Sequence, residues 1–97
     1  MLLVSGTIDL HPDDLAAFLA AVEAVTGPSR AEADCVAYQF SQDVADPNRI
    51  CLFEIWTDKA AIDKHMQTPH FLAYRERTAK LRQTRNLLRY AAEKLPI

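Results

Sequence analysis

The segment Ile50–Thr57 is apolar on both of its faces, and few chains of 97 residues can accommodate such a strand. With side chains alternating, one face carries Ile50, Leu52, Glu54 and Trp56, and the other carries Cys51, Phe53 and Ile55. A mass of 10.9 kDa holds one core, so residues 1–97 are read as a single domain. Its own helices suffice for one sheet face. The other face needs a second surface, and face-to-face pairing with another copy of the chain, a homodimer, provides it. A composition that is 49% apolar and 25% charged agrees with a small domain that wants a partner.

The remaining segments fit around that strand. Leu2, Val4, Gly6, Ile8 and Leu10 alternate with Ser5, Thr7 and Asp9, the period of a half-buried strand. Pro12 suits a first helical position, Asp13 and Asp14 suit the positive end of a helix, and Leu15, Phe18, Leu19, Val22 and Val25 recur at helical spacing. The helix is predicted from about Pro12 to Val25, stopped by Gly27 and Pro28. Cys35–Gln42 and Ile50–Thr57 flank the turn residues Asp46, Pro47 and Asn48 and read as a hairpin. The expected register sets Tyr38 opposite Glu54, Val36 opposite Trp56, Cys35 near Thr57 and Cys51 near Ser41, which keeps the two cysteines apart and unbridged. Asp58 caps a short helix with Ile62, His65 and Met66; Thr68 and Pro69 break it and restart a longer one to about Arg82, with Phe71, Tyr74, Thr78 and Leu81 inward. Asn86–Ala92 is the last strand. The order β-α-β-β-α-α-β is an α+β, ferredoxin-like plan with an antiparallel sheet and helices on one face.

Charge and composition exclude several functions. A net charge of −2 and a pI near 5.8 give no reason to expect nucleic acid or an anionic membrane surface. Residues 1–63 hold three Lys/Arg and eleven Asp/Glu, whereas residues 64–97 hold eight and two. The basic stretch Arg75, Arg77, Lys80, Arg82, Arg85 and Arg89 is therefore read as a solvated helix face that pairs with the acidic half. Apolar runs are too short to span a bilayer, and Met1–Leu10 lacks a basic leader, so a cytoplasmic protein with free thiols is expected. Two glycines cannot form a phosphate loop or a dinucleotide fingerprint. No metal site is expected either, since His65 and His70 lie five residues apart with Pro69 between them and Cys35 and Cys51 have no ligand spacing.

One constellation carries chemistry. Glu54 and Trp56 share a strand face, His65 and Met66 follow on the next helix, and His70, Phe71 and Tyr74 come after. A carboxylate and two imidazoles among apolar groups suit proton abstraction from a bound phenol, because His titrates near neutrality and burial raises a Glu. Purely structural roles compete: Glu54 as an arginine partner, Trp56 as core, and an imidazole as a local hydrogen-bonder.

The run Phe53-Glu54-Ile55-Trp56-Thr57-Asp58-Lys59-Ala60-Ala61, continued by His65-Met66-Gln67-Thr68-Pro69-His70-Phe71, resembles the antibiotic biosynthesis monooxygenase family, in which a strand ending E-x-W precedes a helix and an H-x-x-T-P-H-F segment. Ala31–Tyr38 and Asp46-Pro47-Asn48-Arg49 are similar to that family's second-strand entry and hairpin, although Ala33-Asp34 stands where relatives often have Pro-Gly. The resemblance implies a dimeric α+β barrel with a pocket in each subunit. It also implies oxidation of a quinol or polyketide-like aromatic by O₂ without metal, flavin or haem. Carried onto this chain, His65 or His70 is the base, Glu54 its partner or an alternative base, and Trp56, Phe71, Tyr74, Tyr38 and Met66 the substrate walls. Haem-degrading relatives would need Asn, Trp and His at about Gly6, His65 and Arg75, and all three differ. Small-metabolite isomerases and non-catalytic ligand-binding or stress-response proteins share the plan and remain the alternatives.

Overall fold

The computed structural model describes all 97 residues. Strand β1 spans Leu2–Leu10, β2 Cys35–Gln42, β3 Arg49–Trp56 and β4 Gln83–Ala91; the helices are α1 Leu15–Arg30, α2 Lys59–His65 and α3 Pro69–Thr78. The four strands form one antiparallel sheet in the order β2-β3-β1-β4, with β3 and β1 central. This is the ferredoxin-like α+β plan expected from the sequence. Val4, Ile8, Leu10, Ile50, Leu52 and Trp56 point to the helical side, where Phe18, Ala21 and Val25 of α1 meet them. Edge-on aromatic contacts knit the layers, with Phe18 and Tyr74 ring centres 6.1 Å apart and Phe18 and Phe40 6.3 Å. No helix is long and apolar enough to cross a membrane.

Several boundaries differ from expectation, each for a local reason. Pro12–Asp14 form a 3₁₀ turn, capped by the His11 ring nitrogen accepting from the Asp13 N–H, and α1 begins only at Leu15. At its other end α1 runs through Gly27 and Pro28 to Arg30. Burial of Ser29 and the Arg30 Nε–H donated to the Tyr38 carbonyl at 2.9 Å hold this last turn on the sheet, so tertiary contacts override the stop signals. Helix α3 ends at Thr78, short of Arg82, because Asp14 takes both the main-chain N–H and the guanidinium of Arg82, at 2.8 and 3.0 Å. The Gln83 amide then covers the Thr78 carbonyl at 2.7 Å and β4 starts at once.

The hairpin register holds over most of its length. Tyr38 opposes Glu54 and Ser41 opposes Cys51 as expected, but a bulge between Cys35 and Ala37 places Cys35, rather than Val36, opposite Trp56. Val36 is left exposed and both cysteines are free. The early start of β4 also brings Arg85 into the sheet, where it and Arg89, within the strand expected at Asn86–Ala92, lie on the side that faces the helices rather than on a solvated helix face.

Strand β4 lies unusually close to β1 at one point. A Cβ on Gly6 would overlap the carbonyl oxygen of Asn86, so only glycine fits there. The sheet's other side carries no helix. Leu3 lies opposite both Ile55 and Tyr90, Ser5 opposite Phe53 and Leu88, and Phe53, Leu88 and Tyr90 are exposed.

Candidate active site

A cavity of about 240 Å³ opens between the helical side of the sheet and helices α2 and α3. Nine of its thirteen lining residues are apolar, and Tyr38, Met66, Phe71 and Tyr74 are among them. Its polar groups are Glu54, His65, Arg85 and Arg89, alongside the two tyrosine hydroxyls. The size suits a small aromatic molecule rather than a drug-sized ligand.

Glu54 lies in a row that crosses the sheet from β4 to β2. Arg89 pairs with Val4, Val4 with Glu54 and Glu54 with Tyr38. The backbones of Glu54 and Arg89 are thus two strand spacings apart, about 10 Å, with both side chains lining the cavity and no ion pair between them. Trp56, two residues along the same face, donates its indole N–H to Glu54 Oε1 at 2.9 Å. Burial raises the Glu54 pKa above the ordinary carboxylate value, and that hydrogen bond and the charge of Arg89 partly oppose the rise. Burial likewise raises Tyr38, reinforced by the charge of Glu54, and pushes Tyr74 up to about 12. Both hydroxyls are therefore protonated donors at neutral pH.

His65 is the last residue of α2 and only 2% exposed. Its ring lies 4.6 Å from that of Trp56 and 5.0 Å from that of Phe71, centre to centre. Nδ1 sits 2.6 Å from Glu32 Oε2. A carboxylate only accepts, so Nδ1 carries the hydrogen and Nε2 is left as a lone pair without a protein partner. Burial lowers the His65 pKa and the adjacent Glu32 carboxylate opposes the shift, which leaves a neutral imidazole at neutral pH.

Glu32 escapes a reading of sequence periodicity because it occupies the turn between α1 and β2, where no repeat marks a direction. Its one oxygen also holds His70 Nε2 at 2.8 Å. His70, in the first turn of α3, does not line the cavity but stands behind His65 against Glu32. Trp56 is also absent from the lining, being fully buried in the core as the support for Glu54. Arg85 and Arg89, by contrast, belong to the lining although the sequence reading grouped them with a solvated stripe. Their spacing with Leu87 at every second residue was the available signal.

Residues 1–77 match the model of the antibiotic biosynthesis monooxygenase family. The chain belongs to that family. Rv0793 of Mycobacterium tuberculosis, which carries a provisional monooxygenase name, is 36% identical over 71 residues, 73% of this chain and 69% of that protein. Its solved structure superposes with a TM-score of 0.87 at 26% identity, covering 97% of this chain and 96% of the other. The structure of PA3566 from Pseudomonas aeruginosa has a TM-score of 0.86 at 31% identity, covering 96% and 94%. A Synechocystis protein, sll1783, is 36% identical over 80 residues, 82% of this chain but 54% of its own length, so the chain spans about half of that relative.

The match to the antibiotic biosynthesis monooxygenase model ends at Arg77, before β4. The two arginines of the cavity therefore lie beyond the matched span, on a strand whose position is nevertheless fixed by its pairing along the length of β1. In this family member the histidine-bearing helices come from the matched part and the cationic side of the cavity from the rest.

Proposed function

We propose that this antibiotic biosynthesis monooxygenase family member oxidises a small quinol or polyketide-like phenol with O₂, without a cofactor, using His65 as the base. The supporting observation is a neutral imidazole in the wall of an apolar cavity, its Nδ1–H tied to a carboxylate and its Nε2 free. That arrangement fixes the tautomer and orientation a general base needs. The phenol O–H proton passes to His65 Nε2. Arg85 and Arg89 stabilise the phenolate, since neither has a carboxylate partner within ion-pair distance.

The remaining electrons balance without an external reductant. The phenolate transfers one electron to O₂, and recombination of the two radicals forms a C–O bond at a ring carbon. The resulting peroxide takes the proton from His65. Loss of the ring C–H proton, to Glu54, with cleavage of O–O leaves a quinone carbonyl and releases hydroxide, which is protonated to water. One oxygen atom enters the product and one leaves as water, so the phenol supplies all four electrons. Phe71, Tyr74, Tyr38 and Met66 hold the ring and keep water from it.

The test is oxygen uptake and incorporation of isotopically labelled O₂ with a panel of hydroquinones and naphthoquinols, comparing the wild type with His65→Ala and Glu54→Ala. Enzyme-dependent uptake that falls at least a hundredfold in His65→Ala is expected. Absence of enzyme-dependent uptake across the panel would sink the reading for those substrates. Because Glu54 and His65 share one cavity, proton shuttling without O₂ is the second reading. An isomerase of a small enolisable metabolite would exchange substrate hydrogen with solvent anaerobically; a binding protein would show only ligand-dependent thermal shifts.

The same reading includes a homodimer through the uncovered sheet side, supported by the contiguous Leu3, Ile55, Tyr90, Phe53 and Leu88. The isolated chain exposes 6217 Å², above the roughly 5,600 Å² that scaling gives for its mass. The two free thiols suit a cytoplasmic setting.

A further inference from the structure

The base needs one acceptor behind it, and the structure supplies more than that. Glu32 Oε2, His65 Nδ1 and His70 Nε2 all lie within 4.8 Å of one another. They arrive from three separate elements: the α1–β2 turn, the end of α2 and the first turn of α3. The i, i+4 rule for helical ligand pairs does not apply to His65 and His70, because the chain breaks between them. Thr68 fixes that break. Its hydroxyl donates to the His65 carbonyl at 2.6 Å and accepts from the Phe71 N–H at 3.3 Å, so each histidine-bearing helix end is held relative to the other.

The donor set has the chemistry of a transition-metal site. Two imidazoles and one carboxylate suit zinc, cobalt or nickel far better than calcium or magnesium. The carboxylate oxygen lies 2.6 and 2.8 Å from the two ring nitrogens, shorter than the roughly 3.4 Å that separates tetrahedral ligands about 2.1 Å from a metal, so the carboxylate must draw back from both rings to admit an ion. The adjustment required falls mainly on Glu32 and His70, which are partly exposed, while His65 is packed among its aromatic neighbours. A second cleft of about 120 Å³, lined by Glu32, Asp34, Lys64 and Thr68 among others, opens on the carboxylate. It gives an ion and its remaining water ligands a way in that does not pass through the substrate cavity.

We propose that Glu32, His65 and His70 form a binding site for a divalent transition metal, and that its occupation silences His65 as the cavity base. The second half rests on the reading of His65 given above; the first does not. In the metal-free state the imidazole hydrogen is on Nδ1 and the lone pair is on Nε2. Coordination through Nδ1 replaces that hydrogen with the metal and leaves it on Nε2, with no net proton released. The atom that should accept the phenol proton then carries one. The metal acts as an off-switch on the far side of the ring, not as an oxygen-activating centre.

The experiment titrates metal-stripped protein with zinc by calorimetry and with cobalt by visible absorption, in the wild type, Glu32→Gln and His70→Gln, with far-ultraviolet circular dichroism to confirm folding. Expected are one ion per chain in the wild type, cobalt bands of a nitrogen–oxygen site, and binding at least tenfold weaker in both folded variants. No stoichiometric binding up to about 100 µM metal, or binding undiminished in both variants, overturns the site. Oxygen uptake is then followed against zinc. Loss of uptake in step with occupancy in the wild type, and resistance to the same zinc concentration in His70→Gln, supports the silencing. Undiminished uptake at full occupancy overturns it. If no quinol supports uptake at all, the oxidation reading fails while the calorimetry and cobalt spectrum still decide the site.

Discussion

Glu32 holds His65 Nδ1 at 2.6 Å from a position 33 residues earlier in the chain. The relation fixes the imidazole hydrogen on Nδ1, and in the proposed reaction the other ring nitrogen is the base. Glu32→Ala should therefore act on turnover rather than on substrate affinity, lowering kcat by roughly 10²- to 10⁴-fold with little change in KM. It also leaves a buried ring N–H unpaired, at about 1–3 kcal/mol of stability. Glu32→Gln retains one acceptor oxygen and should fall between the two. Steady-state oxygen uptake with thermal melts of the three proteins checks this. Equal kcat in Glu32→Ala and wild type would remove Glu32 from the site.

Glu54 makes a prediction about pH. Burial raises its pKa in the folded protein above the ordinary carboxylate value. The folded state then binds the proton more tightly than the unfolded chain, so stability attributable to this residue is greatest at acid pH and declines as pH rises through the interval from the unfolded to the folded value. Glu54→Gln cannot ionise and keeps a carbonyl for the Trp56 indole N–H. The variant should gain stability relative to wild type as pH rises above the ordinary carboxylate range, read as a difference in urea midpoint that grows and then levels off once Glu54 is ionised in the folded protein. A difference that stays flat or falls with pH contradicts the assignment.

Gly6 tests the close approach of β4. Since a Cβ there meets the Asn86 carbonyl oxygen, Gly6→Ala must push β4 from β1 or shift its register. The expected cost is about 3 kcal/mol, the upper end for overpacking. Because β4 carries Arg85 and Arg89, the same change should weaken ligand binding without touching the cavity. Hydrogen exchange should show lost protection concentrated along β1 and β4, and uniform loss across the sheet would point to a different cause.

These residues also mark what the sequence discloses and what it hides. The strands and helices are legible because alternation and helical spacing report burial directly, and the Tyr38–Glu54 pairing follows from the turn. The Cys35–Ala37 bulge is not legible, since an inserted residue leaves no trace in composition. Gly27 and Pro28 mislead because local propensity loses to the contacts of Ser29 and Arg30. Glu54 and His65 are legible as inward-facing polar residues because each lies on a periodic element. Glu32 is missed because its contacts with the two histidines exist only in the tertiary fold. His70, next in sequence to Phe71, and Trp56, two residues from Glu54, stand behind the cavity and support what lines it.

The uncovered sheet side gives the last prediction. Phe53 on β3 and Leu88 on β4 both pair with Ser5, so their side chains flank a small residue at the centre of that side. They are 40% and 60% exposed in the isolated chain, and burying both against a second sheet contributes about 1.5–3 kcal/mol per side chain at full burial. A charge introduced there meets its own copy across a two-fold axis as well as losing that burial. Phe53→Asp and Leu88→Asp should each shift a dimer to monomer in sedimentation equilibrium at micromolar concentration, whereas Val36→Asp, beside the bulge and already exposed, should not. The helical side, and with it the cavity, is untouched by either change, so ligand binding measured at concentrations that preserve the dimer should survive. A wild type that sediments as a monomer at micromolar concentration would dismiss the pairing of sheets.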